Sequence, residues 1–344
     1  SGNDGKYNTG VGIGALFSNT TGSRNVASGW RALYSNTTGN YNVASGPVAL
    51  CANTTGGCNV ASGYQALNSN TTGSCNVALG YQSLRDNTTG SSNVASGWQS
   101  LVNNITGANN IASGWRALFS NTTGSLNIAS GKESLNSNTT GNYNIASGHR
   151  SLCSNTTGVG NVASGRESLR YNTTGGYNVA SGYQALYCNT TGSNNVASGK
   201  ESLYYNTTGT YNVASGSQSL YSNTTGVQNI ASGYQSLYAN TTGSNNVAVG
   251  YRAGRYIANG STANQTSGTS VYLGRDTKAL ADGGNNEIVI GYDAIGNGSN
   301  TTTIGNSSIT DAYICGDTNM DNLTVTGDVS ASGNGYFACV IAGG

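Results

Sequence analysis

The sequence is poor in proline, in charged residues and in long apolar runs. Proline occurs once in 344 residues, 8% of the residues are charged and the formal net charge is +1, whereas about 25% of an ordinary globular domain is charged. No run of about 18 apolar residues is present, so the sequence predicts no membrane insertion. Clusters of lysine and arginine are also missing, which gives no basis for a nucleic-acid partner.

The residues that enzymes and metal sites commonly use are scarce. His149 is the only histidine, which leaves a histidine-based catalytic triad without a convincing base. Glu133, Glu167 and Glu201 each follow a lysine or arginine, so they predict neighbouring surface charges and not a catalytic carboxylate pair. The seven cysteines lack CxxC spacing and predict neither a disulfide framework nor a zinc site. We therefore expect a protein that is not an enzyme and that has no cofactor.

A repeat of 17 residues fills most of the chain. Its first asparagine, position one, recurs without insertion or deletion from Asn8 to Asn246 and defines fourteen complete units and a shorter fifteenth. Position two is Val or Ile in all units but the first, position five is Gly, and positions twelve to fifteen read Asn-Thr-Thr-Gly except at Ile105. We assign residues 1–254 to the repeat array and residues 255–344 to an irregular C-terminal β stem or assembly region.

The unit predicts one coil of a β-solenoid. Seventeen residues are too few for a pair of helices, and its glycine, asparagine and threonine content opposes helix formation. Two short strands, around NVAS and around QALYS, with turns at the glycine and at NTTG, fit the pattern. Coils stacked about 4.8 Å apart would align the asparagines and threonines into ladders. The predicted fold class is an all-β parallel β-solenoid, or β-roll, of 17-residue coils.

The predicted core of a single chain is thin. Positions two and nine supply its only large aliphatic side chains, with small residues at positions three and eight. The position-nine leucines assigned to the core are Leu33, Leu50, Leu67, Leu84, Leu101, Leu118 and Leu135. Several identical chains packed together would bury the remaining faces, so we expect a homotrimer.

Three units, NTGVGIGAL, NVALGYQSL and NVAVGYRAG, resemble the head repeats of trimeric autotransporter adhesins, whose motif runs N-x-V-A-I-G. They also resemble the repeat arrays of phage and bacterial tail-fibre-like proteins. Phrases after residue 254, such as TSVYLGRD and NLTVTGDVSASGNGYF, resemble the C-terminal stem of phage tail fibres. The resemblance implies an intertwined, left-handed parallel β-roll of three identical chains. Position four departs from the motif, because it is serine in twelve units and hydrophobic only at Val11, Leu79 and Val249.

The recurring Asn-Thr-Thr has three interpretations. It can form a tight turn with threonine ladders, it is an acceptor sequence for N-glycosylation, or it presents one threonine per coil to a ligand such as ice. The asparagines predicted as glycosylation sites are Asn19, Asn36, Asn53, Asn70, Asn87, Asn104, Asn121, Asn138, Asn155, Asn172, Asn189, Asn206, Asn223 and Asn240.

Aromatic residues concentrate at two positions of the unit. At position six we predict exposed rings whose faces contact glycans, and the candidates are Trp30, Tyr64, Tyr81, Trp98, Trp115, Tyr183 and Tyr234. The tyrosines at position ten are predicted to pack against the protein instead. Cys58 and Cys75 share position seventeen in adjacent units, so they are the one pair of cysteines that the repeat aligns in neighbouring coils.

These features predict the non-enzymatic structural shaft of an extracellular or virion fibre that projects from a surface and mediates attachment to a surface or glycan receptor. The alternative is a glycosylated, self-assembling extracellular filament or matrix appendage. In both interpretations the main partner is the protein itself, as a homotrimer or a higher polymer, with cell-surface glycans as the second class of partner. The expected location is extracellular, on the cell surface or on a virion.

Overall fold

A computed structural model describes residues 7–309, and these residues form a parallel β-solenoid with one strand per coil. All eighteen strands belong to a single sheet. Almost all described residues lie in one compact unit, Ser1–Asn306. The strands are β1 (Thr9–Val11), β2 (Val26–Ser28), β3 (Val43–Ser45), β4 (Val60–Ser62), β5 (Val77–Leu79), β6 (Val94–Ser96), β7 (Ile111–Ser113), β8 (Ile128–Ser130), β9 (Ile145–Ser147), β10 (Val162–Ser164), β11 (Val179–Ser181), β12 (Val196–Ser198), β13 (Val213–Ser215), β14 (Ile230–Ser232), β15 (Val247–Val249), β16 (Val271–Leu273), β17 (Glu287–Ile290) and β18 (Thr301–Ile304).

Each strand pairs with the strands of the preceding and following coils of the same chain. The pairing keeps equal positions above one another, so that Ala27 of β2 lies opposite Ala44 of β3. The 17-residue period predicted from the sequence is therefore the length of one coil. Within residues 7–309, no helix is long and apolar enough to cross a membrane.

The second predicted strand, around QALYS, is absent from the coil. These residues form turns in which positions seven and nine have left-handed backbone, with φ of 54° at Arg31 and 50° at Leu33. Backbone bonds still join the coils here, since the Leu33 N–H donates to the Ala49 carbonyl at 3.0 Å. Left-handed residues reverse the peptide direction at every second step, so this run stacks on its neighbours without becoming a β-strand.

The interior is lined by the alanines of position three and the leucines of position nine. The leucines of the regular coils from Leu33 to Leu237 are fully buried, and so are the position-three alanines. The prediction that position two belongs to the core is wrong, because Val26 is 43% exposed and Ile111 is 44% exposed. Successive side chains of a strand point to opposite faces. In a three-residue strand the inward place falls to the central residue, which is the alanine.

The sheet continues beyond the end of the regular array at Gly254. Val247 of β15 pairs with Val271, Val271 pairs with Ile288, and Ile288 pairs with Thr302. The three intervals along the chain are 24, 17 and 14 residues. The change at residue 254 is thus a change in coil sequence and length and not an end of the solenoid. Residues 310–344 of the predicted stem lie outside the described residues.

At the end of the regular array, a small residue replaces a large one in the leucine column and a large residue replaces a small one in the alanine column. Tyr272 stands in the alanine column and is fully buried, while Gly254 stands in the leucine column. A Cβ atom added at Gly254 would lie 2.7 Å from Cδ2 of the Tyr272 ring. The ring occupies the volume that the missing leucine leaves, which keeps the interior filled.

Candidate functional site

The position-twelve asparagines form a hydrogen-bonded column inside the solenoid. Nδ2 of Asn138 donates to Oδ1 of Asn121 at 2.8 Å and to the Gly141 carbonyl at 3.0 Å, and Oδ1 of Asn138 accepts from Nδ2 of Asn155 at 2.8 Å. The same side-chain bond links every successive pair of position-twelve asparagines from Asn19 to Asn240. Both amide hydrogens of each internal asparagine are therefore used within the protein.

A second column, formed by the position-one asparagines, shares acceptors with the first. Nδ2 of Asn127 donates to the Gly141 carbonyl at 2.9 Å, the same oxygen that accepts from Asn138. The Asn127 backbone N–H donates to Oδ1 of Asn110 at 3.0 Å. A Cβ atom at Gly141 would lie 2.5 Å from Oδ1 of Asn138 and 2.5 Å from the Gly158 carbonyl. These contacts with the position-twelve column and with the backbone of the next coil explain why position fifteen is glycine.

N-glycosylation of the internal position-twelve asparagines is incompatible with this packing. A glycan on Nδ2 would replace a hydrogen atom of the column and place a sugar inside the coil, where the lost bond and the steric overlap both oppose folding. Asn19, in the first coil, is half-buried. The predicted sites that the fold buries to at least 98% are Asn36, Asn53, Asn70, Asn87, Asn104, Asn121, Asn138, Asn155, Asn172, Asn189, Asn206, Asn223 and Asn240.

The position-thirteen threonines join each coil to the next. The Thr139 carbonyl accepts from the backbone N–H groups of Thr122 at 3.0 Å, Thr123 at 3.2 Å and Gly124 at 3.3 Å. It also accepts from the Thr122 hydroxyl at 3.1 Å. The position-fourteen threonines, such as Thr123, are exposed, whereas the position-thirteen threonines that follow Thr20 are half-buried. The Asn-Thr-Thr-Gly motif thus builds the stack of coils, and it leaves one column of threonines facing solvent.

The position-six aromatic rings stack on one another along the solenoid. Ring centroids are 5.4 Å apart between Tyr64 and Tyr81, 6.0 Å between Tyr81 and Trp98, and 5.5 Å between Trp98 and Trp115. Adjacent planes in this run differ by at most 21°. Neighbouring rings therefore cover the faces inside the stack, and the edges point to solvent. A glycan has no free ring face to stack on between Tyr64 and Trp115.

The other position-six candidates have different neighbours. Tyr234 stacks on Tyr251 with 5.3 Å between the ring centroids. Trp30 is 50% exposed and contacts the Arg31 guanidinium, and Tyr183 is 39% exposed and contacts the Arg166 guanidinium. Among the candidates, Trp30 has the largest exposed fraction, although the Arg31 guanidinium lies over its ring, 5.0 Å from the centroid.

The position-ten tyrosines form a second, more buried stack. Centroid distances are 4.9 Å between Tyr187 and Tyr204, 5.2 Å between Tyr204 and Tyr221, and 5.0 Å between Tyr221 and Tyr238. Burial, together with a hydrogen bond to Tyr171, raises the pKa of Tyr187 to about 12. The rings stabilise neighbouring coils by roughly 0.5–1.5 kcal/mol per pair.

Polar side chains at position seven form a third column, near the surface. Glu133 accepts from Arg150, Glu167 accepts from Gln184, and Glu201 accepts from Gln218. Each donor lies one coil further along the stack. The adjacent charges predicted from the sequence add ion pairs, with 4.0 Å between Arg166 and Glu167 and 3.5 Å between Lys200 and Glu201. Stacking thus gives each of these glutamates a partner in the next coil, and Glu167 also accepts from Arg170 of its own coil at 3.0 Å.

Glu133 predicts how the array responds to acid. Partial burial raises the pKa of Glu133, but the hydrogen bond from Arg150 and the charges of Arg150, Lys132 and His149 lower it, and the net shift is below the ordinary value of 4.5. A carboxyl group with a lowered folded-state pKa contributes stability above its unfolded pKa, and this contribution is lost as the pH falls through the folded pKa. We expect Glu133→Gln to lose less stability than the wild type between about pH 5 and about pH 3, measured as urea midpoints.

The variant Glu201→Gln is the matched control for that measurement, because it makes the same exchange in the same column. It keeps the Glu133–Arg150 pair. The stability that this pair loses in acid should therefore be the same in Glu201→Gln and in the wild type. Equal acid responses of Glu133→Gln and the wild type would contradict the prediction.

The outer face of the sheet carries an exposed apolar column. The exposed fractions of its clearly exposed members lie between 38% for Val213 and 45% for Ile230, and the other Val residues of position two are half-buried. The position-four residues share this face and are mostly serine, with exposed Val11, Leu79 and Val249. No position-two or position-four residue of the array is charged. A continuous apolar surface of this kind usually marks an interaction site.

The cysteines in the described residues are all free thiols, namely Cys51, Cys58, Cys75, Cys153 and Cys188. Burial raises the pKa of the Cys51, Cys153 and Cys188 thiols. Cys58 and Cys75 are exposed. A raised pKa keeps a thiol protonated and unreactive, so these three half-buried cysteines act as small apolar side chains.

In sequence comparisons, no family model and no curated protein matches the chain. Across residues 7–309, no group of three or more His, Cys, Asp or Glu residues lies together in a way that could hold a metal ion. The apolar sheet face and the aromatic columns are the candidate functional surfaces that residues 7–309 present.

Proposed function

We propose that the protein is the non-enzymatic shaft of an extracellular or virion fibre, in which three copies pack together through the apolar sheet face. The observation that carries the proposal is the uncharged Val/Ile column, which continues through fourteen coils on a regular surface. Burial of apolar area is worth roughly 25 cal/mol per Å² removed from water. A column repeated at every coil makes this gain accumulate along the whole solenoid.

Identical copies are the partner that this face suits best. Every strand of one chain already pairs within that chain, so assembly needs no exchange of strands between chains. On this face, position two is Val or Ile and position four is mostly Ser. When two copies meet, position two of one copy can lie against position four of the other, which allows the side chains of the two faces to interdigitate. The similarity to trimeric adhesin repeats favours three copies around one axis over two.

The columns inside the coil suit a shaft. Asparagine, threonine and glutamine bonds run parallel to the long axis, and each coil provides a template for the next. Eighteen strands stacked at the usual spacing give a rod on the order of 80 Å long. Attachment to a glycan receptor would use the exposed aromatic residues, with Trp30 as the first candidate.

The test is the oligomeric state of the full chain by native mass spectrometry. We expect a trimer whose denatured subunit has the mass of the unmodified sequence, 34.8 kDa. The variant Ile128→Glu/Ile145→Glu places charges in the apolar column, and it should raise the trimer dissociation constant on the order of 100-fold or more. The matched control, Thr123→Glu/Thr140→Glu, places the same charges on the exposed threonine column and should remain trimeric.

Circular dichroism shows whether the subunits of both variants stay folded. A wild-type monomer would contradict the proposal, and so would a trimer that Ile128→Glu/Ile145→Glu leaves intact. An open-ended polymer in electron micrographs, in place of rods of one length, would favour the alternative function of a self-assembling filament. Glycans found on the internal position-twelve asparagines would show that the asparagine packing described above is not the one in the native protein.

A further inference from the structure

Both asparagine columns end in the irregular coils that follow the array. The position-one column passes from Asn246 to Ser270, whose N–H donates to Oδ1 of Asn246 at 3.0 Å, and then to Glu287, whose N–H donates to the Ser270 hydroxyl at 3.2 Å. In the position-twelve column Asn264 is the last asparagine, because Ala281 stands 17 residues further on. The columns therefore lose their regular partners at the same end of the solenoid.

Three buried oxygen atoms at this end have no partner within the ordinary hydrogen-bond distance of 3.5 Å. They are Oδ1 of Asn264, Oγ of Ser267 and Oε2 of Glu287. Asn264 and Ser267 are each 2% exposed, and Glu287 is fully buried. A buried polar atom without a partner costs roughly 1–3 kcal/mol, and a charged one costs more. In the described residues the other buried polar side-chain atoms without a partner are the Nε atoms of Arg252 and Arg255, so all the unpaired side-chain oxygens lie in this cluster.

The carboxylate of Glu287 is held in place by its other oxygen. Oε1 accepts from the Leu280 N–H at 3.2 Å and from the Gly298 N–H at 2.8 Å. The nearby Lys278 ammonium pairs with Asp293. The nearby Asp282 carboxylate accepts from the Gln265 and Thr266 N–H groups. The Lys278 ammonium is therefore engaged by Asp293 and not by Glu287.

Gly284 leaves room beside the unpaired oxygens. A Cβ atom added there would lie 3.5 Å from Oε2 of Glu287, 3.7 Å from the Ala281 carbonyl and 3.8 Å from Oγ of Ser267. Glu287 Oε2, Ser267 Oγ and the Ala281 carbonyl thus all lie within 3.8 Å of one point in the space that the missing Gly284 side chain leaves. Residues 281–286 cover it and are mostly exposed at the surface, so an ion from solvent has a short path to it.

We propose that this space binds a hard cation, with Ca²⁺ as the best fit, through Oε2 of Glu287, Oγ of Ser267 and the Ala281 carbonyl. Carboxylate, hydroxyl and carbonyl oxygens are the ligands that Ca²⁺ prefers, and its coordination tolerates irregular geometry completed by water. Ca²⁺ neutralises the buried carboxylate and ties the 281–286 turn to the last coils. A single carboxylate gives weak binding, with a dissociation constant of roughly 0.1–1 mM.

The experiment titrates the EDTA-treated full chain with Ca²⁺, and separately with Tb³⁺ as a luminescent substitute. Tyr272 packs at this site, and Glu287 acts on its phenol electrostatically. We therefore expect Tb³⁺ emission on tyrosine excitation, loss of that emission when Ca²⁺ is added, and a higher melting temperature in Ca²⁺. Glu287→Gln should abolish the emission and the shift, while Ser267→Ala, which keeps the charge, should weaken Ca²⁺ binding about tenfold.

Glu201→Gln is the control, because it removes a carboxylate from the position-seven column and should bind as the wild type does. If Glu287→Gln fails to fold, Ser267→Ala still decides the question. An unchanged Ca²⁺ response in the variants at the site would overturn the proposal. So would the absence of any Ca²⁺ or Tb³⁺ response of the wild type up to about 10 mM, well above the expected dissociation constant; water would then complete the hydrogen bonds.

Discussion

Replacing Asn138 by alanine is expected to destabilise the array by roughly 3–5 kcal/mol, because the variant leaves buried polar groups without partners. Oδ1 of Asn121 loses the bond from Asn138, and Nδ2 of Asn155 loses its acceptor in the neighbouring coil. The Gly141 carbonyl keeps only the bond from Asn127. The free energy of unfolding, measured by urea denaturation followed by circular dichroism, tests the size of the loss.

The matched control is Asn103→Ala. Asn103 is a half-buried asparagine at position eleven, outside both columns, and its replacement should change the free energy of unfolding by no more than about 0.5 kcal/mol. Hydrogen exchange adds a local readout, because coils of a solenoid contact only their neighbours. Exchange should become faster between Asn121 and Asn155 and stay unchanged near Asn223. Equal losses for Asn138→Ala and Asn103→Ala would refute the structural role of the column.

Replacing Gly131 by alanine is expected to cost at least about 4 kcal/mol, since backbone strain alone contributes roughly 1–3 kcal/mol. Gly131 follows β8 at the corner of the coil with a φ of 130°, a conformation that side chains rarely adopt. An added Cβ would lie 2.7 Å from the Gly148 carbonyl oxygen and 2.8 Å from its carbon. These are backbone atoms of the next coil, so the clash can be relieved only by separating the two coils.

Gly57→Ala is the control for that variant. Gly57 lies at position sixteen, where a Cβ would be 3.2 Å from the Asn40 carbonyl, and Ala108 occupies the equivalent place in another coil. We expect its effect to stay within about 1 kcal/mol. Comparing the melting temperatures of Gly131→Ala and Gly57→Ala separates the effect of the clash and strain at position five from the general effect of replacing a glycine. A Gly131→Ala variant as stable as Gly57→Ala would show that the coils can separate at this corner without loss.

Several features of the fold follow from the sequence because a strict period imposes one geometry on every unit. The absence of insertions between Asn8 and Asn246 predicts coils of equal length. Stacked coils then align Asn121, Asn138 and Asn155, and aligned amides have one another as their nearest partners. The leucine column follows in the same way, because Leu is the only large aliphatic residue at position nine.

The local conformation of the second half of the coil could not be predicted from the sequence. Residues such as Arg31 and Leu33 have no intrinsic preference for left-handed backbone, and they adopt it here because the stack of coils supplies partners for their N–H groups. The same limit applies to the aromatic columns. The composition of position six indicates exposed rings, but only the distance between coils shows that Tyr81, Trp98 and Trp115 cover each other's faces.

The sequence by itself determined the period, the parallel stacking and the identity of the internal columns, because a residue repeated every 17 positions meets its own kind in the next coil. The tertiary structure alone decided which side of each strand faces inward. Val26 points to solvent and Ala27 to the interior, since the leucines already fill the narrow lumen and leave space for no more than a methyl group. It also decided where the columns end, because the unpaired oxygens near Glu287 come together only when coils of unequal length stack.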